Sequence, residues 1–226
     1  MVRIYAHRGA STEFPENTLP AFARAVELGA FGIELDVQLS SDGAPVVIHD
    51  DSVDRTTNGS GLVAALNLDA LRRLDAGAGT LIPTLAEVLN LTEGRLHVDI
   101  EVKAADAAEA VFRETTGRAD LRFVVSSFNH DVLRHVRQMS NDLELWPLTV
   151  AVSDDVLDTA VDLASPLIAP NDKFINGEIV DHIRDLGLGC WVWTVNHPTR
   201  AEALAKFGVV GVCTDDPAAL IHLQRS

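Results

Sequence analysis

Cysteine is nearly missing from this chain: Cys190 and Cys213 are the only two in 226 residues. Each lies in an apolar run, so no disulfide framework is available and both read as small buried thiols. Basic residues are scarce as well. Eighteen Lys and Arg stand against 33 Asp and Glu, a formal charge of −15, and no Lys/Arg run exceeds two. A nucleic-acid binder needs a basic stripe, so nucleic acid is excluded as a partner, and the same deficit disfavours docking on anionic membrane. No apolar stretch approaches the roughly eighteen residues of a membrane span, and no charged-then-apolar leader opens the chain. The expectation is a soluble, cytoplasmic protein with no stable membrane association. Sequence repeats and low-complexity linkers are absent too, which favours one domain over residues 1–226.

What is present is the balance of a globular chain, 47% hydrophobic and 23% charged. Runs rich in β-branched residues fall at residues 2–6, 31–37, 45–49, 96–102, 121–126, 145–151, 166–169, 189–195 and 209–213. Helical patterns separate most of them. Leu19, Phe22, Ala23 and Val26 follow an i, i+3, i+4, i+7 spacing closed by Gly29, and Thr84 with Glu87 spells a capping box. Val132, Leu133, Val136 and Met139 form another stripe. Asn176 can cap a helix carrying Ile179, Val180, Ile183 and Leu186, and Asp216-Pro217 opens the last helix.

Nine runs are one too many for a closed eight-stranded barrel. A parallel crossover needs about a dozen residues or more, yet only Gln38 to Ala44 separates the second run from the third. The run at 45–49 is therefore a hairpin arm. What remains is an α/β chain reading as a (β/α)8 TIM barrel, with a small insertion after the second strand, residues 38–80, on its rim.

Such barrels carry their active sites at the C-terminal ends of the strands. His7-Arg8-Gly9, Glu34 and Asp36, Glu101 and Lys103, and Trp193 with Asn196 fall there. Glu34 and Asp36, two apart on a strand, point to one side, opposite Ile33, Leu35 and Val37. With Glu101 they offer three inward carboxylates and no sulfur or imidazole, a donor set for a hard divalent cation, Mg²⁺ or Ca²⁺. The plainer alternative is a solvated acidic strand face. Asp99 points the same way one step deeper, as a fourth acidic group or a structural one. His7 and His49 suit the base and acid of a phosphoryl transfer, and Arg8 and Lys103 add fixed charge for a phosphate.

At these residues the sequence resembles the glycerophosphodiester phosphodiesterase family. The resemblance is carried, in order, by His7-Arg8-Gly9, Pro15-Glu16-Asn17-Thr18, Glu34-Leu35-Asp36-Val37, Val47-Ile48-His49-Asp50, Asp54-Arg55-Thr56-Thr57, Ile82-Pro83-Thr84-Leu85, Ile100-Glu101-Val102-Lys103, Ser126-Ser127-Phe128, Trp193-Thr194-Val195-Asn196 and Thr214-Asp215-Asp216-Pro217. It implies metal-dependent hydrolysis of glycerophosphodiesters to sn-glycerol 3-phosphate and an alcohol, a reaction of lipid and glycerol metabolism. It also implies Glu34, Asp36 and Glu101 as metal ligands, His7 and His49 as the acid–base pair, and Arg8 and Lys103 as phosphate contacts. Trp193 and Phe128 would wall the glycerol side, or else be core aromatics. The chain departs from the family pattern in a short segment between Gly77 and Ile82 and in an acidic residue at Asp99. Two other functions fit the same fold: a non-catalytic glycerol-phosphate-binding barrel, and a phospholipase D-like or phosphatidylinositol-cleaving enzyme. The second wants an apolar lip, whereas Asp50, Asp51, Asp54 and Arg55 make the insertion read as polar. A homo-oligomer is compatible with the composition.

Overall fold

The computed structural model describes residues 2–224. Its strands are β1 (Arg3–His7), β2 (Gly32–Leu39), β3 (Pro45–Val47), β4 (His97–Val102), β5 (Arg122–Ser127), β6 (Leu145–Thr149), β7 (Leu167–Pro170), β8 (Gly189–Val192) and β9 (Gly211–Thr214). Eight pair in parallel in the order β1-β9-β8-β7-β6-β5-β4-β2, and β1 pairs with β2 to close the barrel. The ninth, β3, lies antiparallel on β2 with Val37 opposite Val47. The hairpin arm inferred from connection length is therefore real.

Local signals set the helix ends. Gly29 takes the left-handed conformation (φ 72°) after the helix Leu19–Leu28. Thr84 and Glu87 form a complete reciprocal capping box ahead of Leu85–Thr92. Asn176 accepts from the Ile179 amide and Asp216 from that of Ala219. One expectation fails: Leu186 lies beyond the helix Gly177–Asp185 and is 48% exposed. Leu188, past the turn at Gly187, is buried in the core that Ile183 joins.

Alternation along the strands divides the residues between two environments. Ile33, Leu35, Val37, Val98, Ile100 and Val102 pack outward against the helices, which leaves Glu34, Asp36, Asp99 and Glu101 facing the barrel axis. The lower interior is an aromatic plug. Tyr5 meets Trp191 and Trp146 edge-on at 5.4 and 5.8 Å, and His97 stacks on Trp146. His97 is part of that packing: desolvation, then the charges of Arg122 and Arg3, push its imidazole down to about 4, so it sits there neutral. The insertion has its own small core of Val46, Ile48, Val53, Val63, Leu71, Ala76 and Ile82. Among the described residues, no helix is long and apolar enough to cross a membrane.

The plug needs a strand position without a side chain. A Cβ on Gly32 would lie 2.5 Å from both the Tyr5 ring and the His97 carbonyl oxygen. Gly32→Ala is expected to cost about 2 kcal/mol by overpacking and to lower the thermal midpoint by roughly 4–8 °C. An unchanged midpoint in scanning calorimetry would contradict this account of the plug.

Candidate active site

Above the plug, the barrel opens into a cavity of about 230 Å³ that His7, Arg8, Glu34, His49, Glu101 and Phe128 help to line. Strand β2 brings Glu34 to it, and the parallel register sets the fully buried Asp36, two residues on, beside Glu101 on β4. All three carboxylates are buried, Asp36 completely. Each offers an oxygen within 4.8 Å of the others, so the solvated-face alternative is overturned.

Asp36 is the best compensated of the three. Arg8 Nε approaches it at 3.2 Å, Lys103 Nζ at 2.8 Å, and Asn17 Nδ2 donates at 2.9 Å. Burial pushes its carboxyl up, but Lys103 and then Arg8 outweigh that and bring it down to about 2. Glu34 and Glu101 go the other way. Burial, followed by the neighbouring charge of Asp36, raises both, although Lys103 also donates to Glu101 at 2.5 Å. The protein's own cations thus suffice for one carboxylate and leave two short of positive charge. A cluster of hard oxygen donors in that condition fits a divalent cation.

Each histidine is held by a carboxylate. His7 Nδ1 lies 2.6 Å from Asp215 Oδ1, and Asp215 is fixed by Asn196 Nδ2 at 2.6 Å. His49 Nδ1 lies 2.6 Å from Asp50 Oδ1. An ionised carboxylate only accepts, so in both rings Nδ1 carries the proton and Nε2 is left for substrate. His7 Nε2 is 3.9 Å from Glu34. Arg55 donates to Asp50 through Nε at 2.7 Å and to both oxygens of Glu16 at 2.9 and 2.8 Å. Glu16 in turn accepts from Arg8 at 2.9 Å. Arg8 has a left-handed backbone (φ 56°), held by its N–H bonding to the Glu34 carbonyl and side chain. Such backbone strain gathers at functional positions.

Phe128 is 44% exposed and meets Trp193 edge-on at 5.3 Å, while the Trp193 indole N–H donates to the Ala169 carbonyl. Both ring systems line the cavity, so neither is buried in the plug. The rim is less polar than its sequence reads. Phe14, Leu62, Leu81, Phe128, Val150 and Phe174 are exposed in segments on the strand C-terminal side. Sequence spacing assigns no role to Asp215, Asn196, Glu16 or Arg55, because the contacts His7–Asp215, Asn196–Asp215 and Glu16–Arg55 join residues distant in the chain.

A closed parallel barrel with buried carboxylates, two oriented histidines and two cations at its mouth defines a barrel enzyme equipped for phosphoryl chemistry. A sequence model of the glycerophosphoryl diester phosphodiesterase family matches residues 7–219, and the chain belongs to that family of phosphoric diester hydrolases. It is 40% identical over 236 aligned positions to the glycerophosphodiester phosphodiesterase of Caldanaerobacter subterraneus, covering 98% of this chain and 97% of that one. It is 35% identical to that of Bacillus altitudinis, covering 100% and 99%. An Oleispira antarctica phosphodiesterase, solved in complex with the product sn-glycerol-3-phosphate, superposes with a TM-score of 0.95 at 28% identity, covering 99% of this chain and 97% of that one.

Burial pushes the carboxyl of Asp99, below the cluster, from the ordinary 3.8 up to about 8. Between those values the folded chain keeps a proton that the unfolded chain has released. Asp99 therefore makes stability fall with rising pH, by about 1.4 kcal/mol per unit. Asp99→Asn removes that slope. Urea titrations in chelating buffer at about pH 5, 6 and 7 should show the variant losing one proton's worth less stability per unit than the wild type; parallel profiles would refute the assignment.

Proposed function

We propose that this protein hydrolyses glycerophosphodiesters to sn-glycerol 3-phosphate and an alcohol, with His7 and His49 as its acid–base pair. The observation that carries the reading is that two histidines, each with Nδ1 tied to a carboxylate, line one cavity with Arg8, Glu34 and Glu101, and that Asp36 and Lys103 stand directly against those groups. Glu34, Asp36 and Glu101 would hold one divalent ion, Mg²⁺ or Ca²⁺, which supplies positive charge against the phosphoryl oxygens as negative charge builds.

The chain's own groups do the rest. Arg8 and Lys103 face a phosphate with fixed charge, Arg8 offering a two-pronged donor. One histidine takes the proton of the glycerol hydroxyl next to the ester as that oxygen attacks phosphorus. The other protonates the departing alkoxide as its P–O bond breaks, leaving a cyclic phosphate. Water then opens the ring with the proton roles reversed, and the P–O bond to the attacking hydroxyl is the one that breaks. Phe128 and Trp193 wall the substrate. A second reading, phospholipase D-like cleavage of an acylated diester, draws support from the exposed apolar residues of the rim.

An assay that reads released choline separates these readings, run on glycerophosphocholine and on lysophosphatidylcholine with Mg²⁺, with Ca²⁺ and with chelator, and a coupled assay identifies glycerol 3-phosphate as the other product of the first. Product is expected from the first substrate, with a divalent ion only. His49→Ala should lower kcat by roughly 10³-fold and leave substrate affinity within about a factor of ten, because a proton-transfer group acts mainly on the transition state. Wild-type turnover in that variant would remove His49 from the mechanism. Glu101→Ala should weaken the divalent ion by about tenfold or more in calorimetric titration; unchanged affinity would take Glu101 out of the ligand set.

A further inference from the structure

The two histidines are not equally well supported. Asp215, the partner of His7, is held by Asn196 Nδ2 at 2.6 Å, and its own amide donates to Asn196 Oδ1 at 2.9 Å. Asp50, the partner of His49, lies on the rim with its side chain 27% exposed. Among the described residues its carboxylate has two partners, His49 and Arg55. Arg55 meets both of its oxygens, Nε donating to Oδ2 at 2.7 Å and Nη2 to Oδ1 at 3.0 Å. The opposite edge of the same guanidinium donates to Glu16 through Nη1 and Nη2, and Glu16 is tied to Arg8. One planar group thus joins the insertion to the loop that follows β1. The turn presenting Arg55 is fixed on either side of it. Thr57 donates to the Val53 carbonyl through its amide at 3.1 Å and its hydroxyl at 2.8 Å, and Asp54 Oδ1 accepts from the Gly61 amide at 2.7 Å. Val53 is fully buried in the core of the insertion.

The Arg55 side chain is 48% exposed. An ion pair so open to water adds little to stability, because it is screened and long side chains lose freedom in making it. What a guanidinium fork does supply is geometry, since two parallel bonds fix the plane of a carboxylate as well as its position. That plane matters here. The direction in which Asp50 accepts from His49 Nδ1 decides where the imidazole points its Nε2. Arg55 also holds the Asp50 carboxyl well below the usual carboxylate range, against a smaller opposing effect of burial, so Asp50 stays an acceptor. Unlike Arg8, Arg55 does not line the cavity, and all three of its nitrogens are engaged by carboxylates. We propose that Arg55 is the positioning residue of His49: it orients Asp50, Asp50 orients the imidazole, and Glu16 anchors the guanidinium to the barrel. The proposal rests on the reading of His49 as one of the acid–base pair.

The test replaces Arg55 in the full chain by methionine, which keeps an apolar stem without the fork, and by lysine, which keeps the charge without it. On glycerophosphocholine, with the divalent ion that supports turnover, kcat should fall by roughly 10–10²-fold in both variants while KM stays within about threefold, because misplacing a proton-transfer group acts on the chemical step. Proton NMR of the imidazole N–H groups supplies a readout that a general loosening would not reproduce. His7 and His49, assigned with their alanine variants, should each show an Nδ1-bound proton in the wild type. In Arg55→Met and Arg55→Lys the His49 signal should shift or be lost to exchange, and that of His7 should stay unchanged. Wild-type kcat in both variants, an unaltered His49 signal, or loss of both signals together would overturn the proposal. So would a raised KM at unchanged kcat, which would make Arg55 a substrate contact instead. Failure of the hydrolase reading looks different: the wild type would turn over no diester, while the selective change at His49 still appeared.

Discussion

The site depends on burying the Asp36 carboxylate at the barrel mouth. A buried ion is tolerated only when paired and hydrogen-bonded, and breaking such a pair costs about 3–5 kcal/mol. Asp36 draws in Arg8 from the end of β1, Lys103 from the end of β4 and Asn17 from the loop before the first helix. Each partner then fixes something else. Lys103 also binds Glu101, and Arg8 binds Glu16, which holds Arg55, which holds Asp50 against His49. One charge thus anchors the cluster, its two cations and, through the rim, one of the two histidines.

That arrangement explains how an acidic chain can serve an anionic substrate. The −15 surplus lies largely in solvated side chains, screened within about a Debye length. Inside the mouth, two cations face three carboxylates, and a divalent ion would tip the balance positive. Long-range attraction contributes nothing to capture, so affinity has to come from contacts made within the cavity. The aromatic plug matters for the same reason. By filling the lower barrel it gives the cavity a closed floor, so that contacts are offered from below as well as from the sides.

Much of this was legible in the sequence where the controlling interaction is local. The Thr84–Glu87 box spans three residues, and the identity of β3 follows from the length of one turn. The inward pointing of Glu34 and Asp36 follows from strand alternation. Helical period alone does not say where a helix stops, so Leu186 falls outside the helix that its spacing predicts. Pairing across the chain was not legible. His7 and Asp215 are 208 residues apart and meet because β1 and β9 are neighbours in the closed barrel, a fact of topology that no spacing encodes. Alternation does place Asp99 inward and one step deeper than Glu101, but it does not say whether that carboxyl joins the acidic cluster or serves the packing below it.

The two histidines are held by different parts of the molecule. His7 ends β1, and its partner Asp215 follows β9, so the pair is fixed by adjacent barrel strands. His49 follows the short arm β3, and its partner is its own chain neighbour Asp50, steadied by Arg55 of the insertion. The Ile48 amide bonding to the Asp36 carbonyl at 3.0 Å, and Gln38 donating to the His49 carbonyl at 3.3 Å, tie that arm back to β2. His7 is therefore as rigid as the barrel, and His49 is as rigid as the Arg55–Glu16–Arg8 chain makes it. A change in the insertion therefore acts on the setting of His49, while that of His7, fixed by adjacent barrel strands, stays in place.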